Sequence, residues 1–490
     1  MPDPKRIADP SAPPIMTFLS DLTLVAEALA SHLAQARARA TPVLAQRPMA
    51  SIIEDLQLDR FVRHGGLEGE ALRGFMARYL ETIINLHHPG YLGHQVAVPH
   101  HAAALGALID GLTNNPMAIY EMGPGAAAIE YFVVNWMLEK VGWTPAPLEA
   151  ERHAEGSFGG GVLTHGGSLA NLTALLAARS AVRPDAWRQG NPGDLAVMAS
   201  GTHHYSIERA VGILGLGTRH LYCVPTDARG AMDPRALPAT LARLRADGKT
   251  PLALVANACS TAVGVYDRLR PLGEFCQDQD IWFHVDGAHG AAALLSPAYR
   301  HRLEGVELAR SLTWDAHKMM RTSSVCAALL VRDHRTLDAA FQQEASYLFH
   351  DKEQPGFDFL HRVVECTKSG LGLRFYWVLA ALGEEGLARY VERQYRLAAR
   401  AYDDLQGLGW VETPVAPESN ILCFRVQGSD ARQLDLRKRI LAEGDFYITS
   451  TQFQDRRYLR LVFMNPDTTL DDVKRLMEQI RRFGTDGPIA

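Results

Sequence analysis

Cysteine is sparse in this chain, and the patterns that give it a function are missing. The six cysteines among 490 residues, Cys223, Cys259, Cys276, Cys326, Cys366 and Cys423, lie far apart without a C-x-x-C pair, most of them inside apolar runs. They read as buried thiols of a reducing compartment, not as a disulfide framework. Metal-ligand spacing is missing as well, since no carboxylate or cysteine sits at ligand distance from the histidine pair at 203 and 204. Long runs of like charge are absent too. The formal net charge of −5 is spread along the chain, which leaves no electrostatic footprint for nucleic acid or an anionic membrane surface. No apolar stretch is long enough to span a bilayer, and the N-terminus does not combine a basic region, an apolar run and a small-residue cleavage site. The expected setting is therefore the cytoplasm, and the expected partners are a small molecule and a second copy of the chain.

What the sequence does have is apolar material: 47% of residues are hydrophobic, and the length suffices for about two to four domains with a large buried core. The proline-rich first fifteen or so residues read as a disordered arm. Helical spacing predicts helices over Phe18–Ala40 and Gly69–Asn85, too few to form a core of their own. A segment rich in Gly, Pro and His, from His87 to His101, has the texture of a pocket-shaping loop. Helices are expected after it at Ala102–Leu112 and Ala126–Val141.

From Gly159 onward short strands and helices alternate. Strands are expected at Gly161–Thr164, Leu195–Ala199, Arg219–Val224, Leu252–Ala256, Ile281–Val285, Ser311–Trp314 and Ala327–Val331, with helices at Ser168–Ala181, Tyr205–Leu214 and Pro234–Asp247. Such alternation implies an α/β fold with a mostly parallel sheet, helices on both faces, and ligands beyond the carboxyl ends of the strands. A long helix, broken near Gly383, runs from Leu371 toward Leu405, and the tail reads as a smaller α+β domain. The expected organisation is an arm and helical segment over 1–86, a large domain over 87–380 and a small domain over 381–490.

Polar residues collect at those strand ends. Lys318, in D-A-H-K after an apolar run, is placed for a partly desolvated pocket, where burial favours the neutral amine that attacks a carbonyl. Alone, a lysine there is more often a solvated surface charge. Asp286 ends W-F-H-V and precedes the small Gly287 and Ala288, which leave room for a flat ring. Its carboxylate can hold a pyridine nitrogen protonated or simply cap a turn. The run G-V-L-T-H-G-G-S-L-A-N-L is strand, glycine turn and helix start, an anion site at Gly166–Ser168 or an ordinary capped helix. It has neither the G-K-[ST] ending of a P-loop nor the G-x-G-x-x-G of a dinucleotide turn. In G-T-H-H-Y-S-I-E-R-A, either His203 or His204 can stack on a planar group.

Taken in order, G-G-S-x-A-N-L, H-x-S-x-E-R-A, H-V-D-x-A, D-A-H-K and L-R-L-V-F-M-N-P resemble the group II pyridoxal-phosphate-dependent amino-acid decarboxylases, over roughly His87 to Pro466. These include the glutamate, aspartate, cysteine-sulfinate, 2,4-diaminobutyrate and aromatic amino-acid enzymes. The resemblance implies pyridoxal 5'-phosphate as cofactor, the aspartate-aminotransferase-like fold (fold type I) with a seven-stranded sheet, and a homodimer with shared active sites. It gives Lys318 the cofactor's carbonyl carbon, Asp286 the ring nitrogen, His204 the ring face, and Gly167 and Ser168 the phosphate, helped by His317. Ser260 and Thr261 fall near the cofactor and Ala288 beneath the ring, while Gln95 and Arg460 approach the substrate, Arg460 as a carboxylate holder.

The implied reaction is α-decarboxylation of an L-amino acid to amine and carbon dioxide, with 2,4-diaminobutyrate or an acidic amino acid favoured over aromatic ones. Two departures from the family pattern stand out. Where members commonly carry a loop tyrosine that protonates Cα, this chain has none between Tyr347 and Tyr376, and Phe359 or Phe357 lies nearest its place. Lys368 and Ser369 replace an arginine pair. In members with phenylalanine at the loop position slow protonation of Cα diverts the reaction, to oxygen with an aldehyde as product or to transamination. Aldehyde formation by decarboxylation and oxidative deamination is the alternative outcome; a cofactor-binding relative without turnover is a third.

Overall fold

The computed structural model describes residues 15–342 and 356–485; the proline-rich start, Tyr347 and the 343–355 part of the expected loop lie outside them. The chain forms two compact units. One comprises Gly93–Gln433 and Thr449–Pro466, and the other comprises the residues up to Leu92, Leu434–Ile448 and those from Asp467 on.

The larger unit is built on a seven-stranded sheet whose strands are β1 (Gly160–Thr164), β2 (Leu195–Ser200), β3 (Leu221–Val224), β4 (Thr250–Asn257), β5 (Trp282–Asp286), β6 (Ser311–Asp315) and β7 (Ala327–Val331). Their order is β1-β7-β6-β5-β4-β2-β3. All pairs from β6 to β3 are parallel, while β7 runs antiparallel to both β1 and β6. Strands β1, β2, β5, β6 and β7 are buried along their whole length. That explains why they read as continuous apolar runs and not as alternating ones.

The helices that matter for the site are α1 (His101–Thr113), α2 (Pro124–Val141), α3 (Gly167–Val182), α4 (Tyr205–Ile213) and α5 (Leu371–Gln406), all close to the sequence expectation. α5 is interrupted at Gly383, whose φ of 66° and ψ of 171° lie in a region that only glycine enters readily. The helix Leu269–Asp278 has no counterpart among the elements expected from the sequence. Pro271 falls in the first turn, where no N–H is required, and Leu269, Leu272 and Cys276 are buried.

Register positions the chemistry. Asp286 ends β5 between Asn257 of β4 and Thr313 of β6, and Asp315 ends β6, so two carboxylates project from the carboxyl ends of adjacent parallel strands. In the same unit β8 (Ile421–Val426) pairs antiparallel with a later strand at Arg456–Val462, which pairs with residues 449–453 of β9 (Tyr447–Phe453). The Arg456–Val462 strand is β10. In the smaller unit, Tyr91–Leu92 pair in parallel with Tyr447–Ile448, and the rings of Tyr91 and Tyr447 stack 5.7 Å apart. Among the described residues no helix is long and apolar enough to cross a membrane, and no cluster of His, Cys, Asp and Glu is arranged to hold a metal ion.

Candidate active site

The turn after β6 carries Asp315, His317 and Lys318. Lys318 Nζ lies 3.1 Å from Asp315 Oδ2, with 21% of the lysine side chain and 2% of the aspartate side chain exposed. His317 Nε2 is 3.7 Å from the same oxygen, and its Nδ1–H donates to the Cys326 carbonyl at 2.8 Å. Burial favours the neutral amine, as the sequence suggests, but Asp315 and then Asp286 outweigh it and hold Lys318 above its ordinary pKa. The free chain therefore keeps Lys318 as an ammonium ion, which corrects the expectation of a neutral amine. Two carboxylates within reach stabilise the cation more than the lost water destabilises it.

Asp286 is 7% exposed and acts as an acceptor on both oxygens. Oδ1 takes the Ala288 N–H at 3.2 Å and Oδ2 takes Asn171 Nδ2 at 3.0 Å. Asn171, on α3, is the centre of a buried network. Its other N–H reaches Ser206 Oγ at 3.0 Å, while its oxygen accepts from Thr313 Oγ1 at 2.7 Å and His284 Nε2 at 3.0 Å. Trp282 Nε1–H donates to Ser311 Oγ, whose own proton goes to His284 Nδ1, both at 2.8 Å. Burial lowers His284 to about 4, so the ring is neutral, as this pattern of donors requires.

The same network fixes His204. Ser206 Oγ already accepts from Asn171, so its proton goes to His204 Nδ1 at 2.8 Å, and the Ser206 N–H points to the same nitrogen at 3.3 Å. Burial lowers the pKa of His204. The imidazole is thus neutral, with its proton on Nε2. His203 turns elsewhere, Nδ1–H donating to the Ser200 carbonyl at 2.8 Å. Of the two adjacent histidines, only His204 joins the Asp286 network.

At the start of α3, Gly166 has φ of 103°, and a Cβ on Gly167 would lie 2.7 Å from Asp315 Oδ1. Neither position accepts a side chain without strain, and Ser168 stands exposed beside them. The first N–H groups of a helix have no partner within it. Ala288, 7% exposed, lies between the two strand ends, its carbonyl accepting the Asp315 N–H at 3.1 Å. Ser260 is buried and closes a turn with Val265, N–H to carbonyl at 2.9 Å. An acid, an amine, a small residue and a helix start without side chains are the parts a phosphorylated pyridine aldehyde requires, so these residues fit pyridoxal phosphate.

A cleft of about 620 Å³ is lined by His204, Thr261 and Arg460, together with His94, Thr449 and Asp455 among others. Arg460, on β10, is 6% exposed. Its Nη2 donates to Gln95 Oε1 at 3.0 Å, and its Nη1 lies 3.4 Å from the Gly93 carbonyl and from Thr449 Oγ1. Gln95 and Arg460 therefore lie together. Phe359 does not join them. It is 1% exposed in a core cluster with Met117, Val162 and Leu329, and its ring lies 4.6 Å from that of Phe357. Lys368, read as a replaced arginine, is also buried, 3.0 Å from Glu130 Oε1.

Asn171, Ser206, His284 and Thr313 carry the support of the site but stood in the sequence only as letters of motifs without roles. Replacing Asn171 with alanine strips Asp286, Ser206, Thr313 and His284 of one partner each. A loss of about 3 kcal/mol or more is expected, read as a lower urea midpoint of the cofactor-free protein. An unchanged midpoint contradicts the network.

The match to known proteins agrees with this geometry. Residues 72–427 match the model of the pyridoxal-dependent decarboxylase conserved domain. An acidic amino acid decarboxylase of Xenopus tropicalis is 26% identical over 450 residues, covering 88% of this chain and 86% of the relative. The L-2,4-diaminobutyrate decarboxylase of Acinetobacter baumannii is 26% identical over 441 residues, 84% of each chain. Human cysteine sulfinic acid decarboxylase is 28% identical over 443 residues, 86% of this chain and 87% of the relative. The crystal structure of mouse CSAD superposes with a TM-score of 0.87 at 24% identity, covering 97% of this chain and 99% of that one, which shows the shared fold. The chain belongs to the family of pyridoxal-phosphate-dependent amino-acid decarboxylases.

Proposed function

We propose that this protein is an α-decarboxylase of an L-amino acid, with an acidic amino acid or 2,4-diaminobutyrate as substrate and the amine and carbon dioxide as products. The buried guanidinium of Arg460 in the wall of the cleft, steadied by Gln95 Oε1 at 3.0 Å, carries the reading, because it gives a substrate carboxylate a fixed partner. Asp455 lines the same cleft and offers an acid to an ω-ammonium group. The relatives named for acidic, diaminobutyrate and sulfinate substrates support the same range.

When bound, pyridoxal phosphate supplies a carbonyl carbon that captures the substrate amine and a ring that takes up the electron pair left on Cα as carbon dioxide departs. Lys318 would hold the cofactor through that carbonyl carbon. Asp286, an acceptor toward Asn171 and Ala288, keeps a proton on the ring nitrogen. His204 is the ring-stacking residue, its Nε2–H available to the site. Gly167, Ser168 and His317 hold the phosphate, with Ser260, Thr261 and Ala288 completing the cofactor's surroundings. Arg460 and Gln95 would orient the substrate, and that orientation would select the Cα bond that breaks.

Incubating the loaded enzyme with each common amino acid and 2,4-diaminobutyrate, and measuring amine and carbon dioxide, tests the reading; turnover of aromatic substrates alone overturns it. Replacing Arg460 with methionine is expected to raise KM about 10- to 100-fold, from the loss of charge-assisted hydrogen bonds. A KM within twofold of the wild type argues that the arginine is structural.

The missing loop tyrosine favours a second reading, decarboxylation with oxidative deamination to an aldehyde. Oxygen consumption and peroxide release equal to carbon dioxide release replaces the first reading with this one. We also propose a cytoplasmic homodimer with shared active sites. The free thiols suit a reducing compartment, and Leu105, Leu108 and Leu112, exposed at helical spacing on α1, suit burial against a second copy.

A further inference from the structure

We propose that Asp315 closes the phosphate end of the site as an acid, so that a phosphate monoester binds there together with one proton. The inference rests on the phosphate lying at the Gly166–Ser168 turn. The carboxylate lies hard against that turn, since a Cβ on Gly167 would meet Oδ1 at 2.7 Å and Oδ2 at 2.9 Å. Asp315 is 2% exposed, and its two oxygens differ. Oδ2 is engaged by Lys318 Nζ at 3.1 Å, whereas Oδ1 is buried without a hydrogen-bond partner among the described residues. A lone acceptor oxygen thus faces the N-terminus of a sixteen-residue helix, where backbone N–H groups favour an anion.

An anion in that turn brings more acceptors. A carboxylate oxygen and a phosphate oxygen side by side repel unless a proton stands between them, in which case the contact becomes a charge-assisted hydrogen bond. The neighbouring groups do not remove this requirement. Lys318 and His317, on the same turn as Asp315, both approach Oδ2. Asp286 from β5 adds negative charge near Lys318. His204 at the start of α4 and Cys326 before β7 also feel Asp315, and His165 of the glycine turn is held by Glu365 at 2.9 Å. None of these is a hydrogen-bond donor to Oδ1.

A phosphate monoester loses its second proton near pH 6. Above that pH the free ligand is a dianion, and the proton must come from solvent on binding. The complex then holds one proton more than the separated partners, so affinity falls as pH rises, about tenfold per pH unit. Below about pH 6 the ligand brings its own proton and the dependence flattens.

The test uses the cofactor-free full chain and 4'-deoxypyridoxine 5'-phosphate, which has the ring and phosphate but no carbonyl for Lys318. Titration calorimetry at pH 8 in buffers of different ionisation enthalpy counts protons. The phosphate-free 4'-deoxypyridoxine reports any proton taken by the ring nitrogen, and its count is subtracted. Wild type is expected to take up about one proton at the phosphate end. Asp315→Asn, whose amide N–H can donate to a phosphate oxygen, is expected to take up none and to lose the tenfold-per-unit decline. Equal counts for the two proteins, or none for wild type, overturn the proposal. Ser168→Ala separates this from a misplaced phosphate. If it weakens the phosphorylated ligand and spares the phosphate-free one, the turn holds the phosphate and the proton count alone decides. If it weakens neither, the placement at the turn fails, and the proposal fails with it.

Discussion

Replacing Lys318 with alanine is expected to lower carbon dioxide release on the order of 10³-fold or more, because in the proposed role this residue joins the cofactor carbonyl and no other described lysine is placed to do so. Borohydride reduction of the loaded protein followed by peptide mass analysis should put the label on Lys318 in wild type and leave the variant unlabelled there. Residual turnover near the wild-type rate, with the label on another lysine, sinks the assignment. The charge state adds a second signature. Asp315 and Asp286 raise the folded-state pKa of Lys318 despite burial. Its contribution to stability is therefore fully present below the unfolded value of about 10.4 and is lost as pH rises through the folded value. In urea unfolding of the cofactor-free protein, wild type should exceed Lys318→Met at neutral pH, and the gap should close in strongly alkaline solution. A gap that widens with pH contradicts the ammonium form.

That charge state also marks what the sequence can carry. The apolar runs ending at Asp286 and Asp315 are legible because strands buried on both faces show no alternation, and the break at Gly383 because only glycine takes its backbone angles. Lys318 is legible as a lysine after an apolar run, which points to burial and a neutral amine. Its carboxylates come from two strands: Asp315 is near in sequence, while Asp286 is brought close only by the β5–β6 register. Asn171 is harder still, since its partners Ser206, Asp286 and Thr313 lie 35, 115 and 142 residues away. Phe359 shows the reverse limit. Its position in the chain suggests a substrate contact, but an aromatic ring next to Met117 and Leu329 gains more from burial than from facing a wet cleft. The glycine turn reads in the sequence as an anion site or a helix cap, and no local pattern contains the close approach of Gly167 to Asp315.

Asp286→Asn is the sharper test of how that support serves the chemistry. An amide keeps the shape of the carboxylate but has one acceptor oxygen where the site uses two, one for the Ala288 N–H and one for Asn171 Nδ2. Whichever way the amide turns, one of those donors meets an N–H group, and a cost of about 1–3 kcal/mol in the cofactor-free protein follows. The larger effect is on turnover. In the proposed role the negative charge of Asp286 would keep a proton on the cofactor's ring nitrogen, so its removal is expected to lower kcat about 10²- to 10⁴-fold. Arg460 and Gln95 are untouched, so KM should change little. The split separates the two roles of the residue. A structural role alone lowers the urea midpoint and leaves kcat of the remaining folded enzyme near wild type, whereas the role proposed here lowers kcat even at temperatures where the variant is fully folded. If kcat per folded, cofactor-loaded molecule stays within threefold of wild type, Asp286 is a turn residue, and the ring nitrogen finds its proton elsewhere.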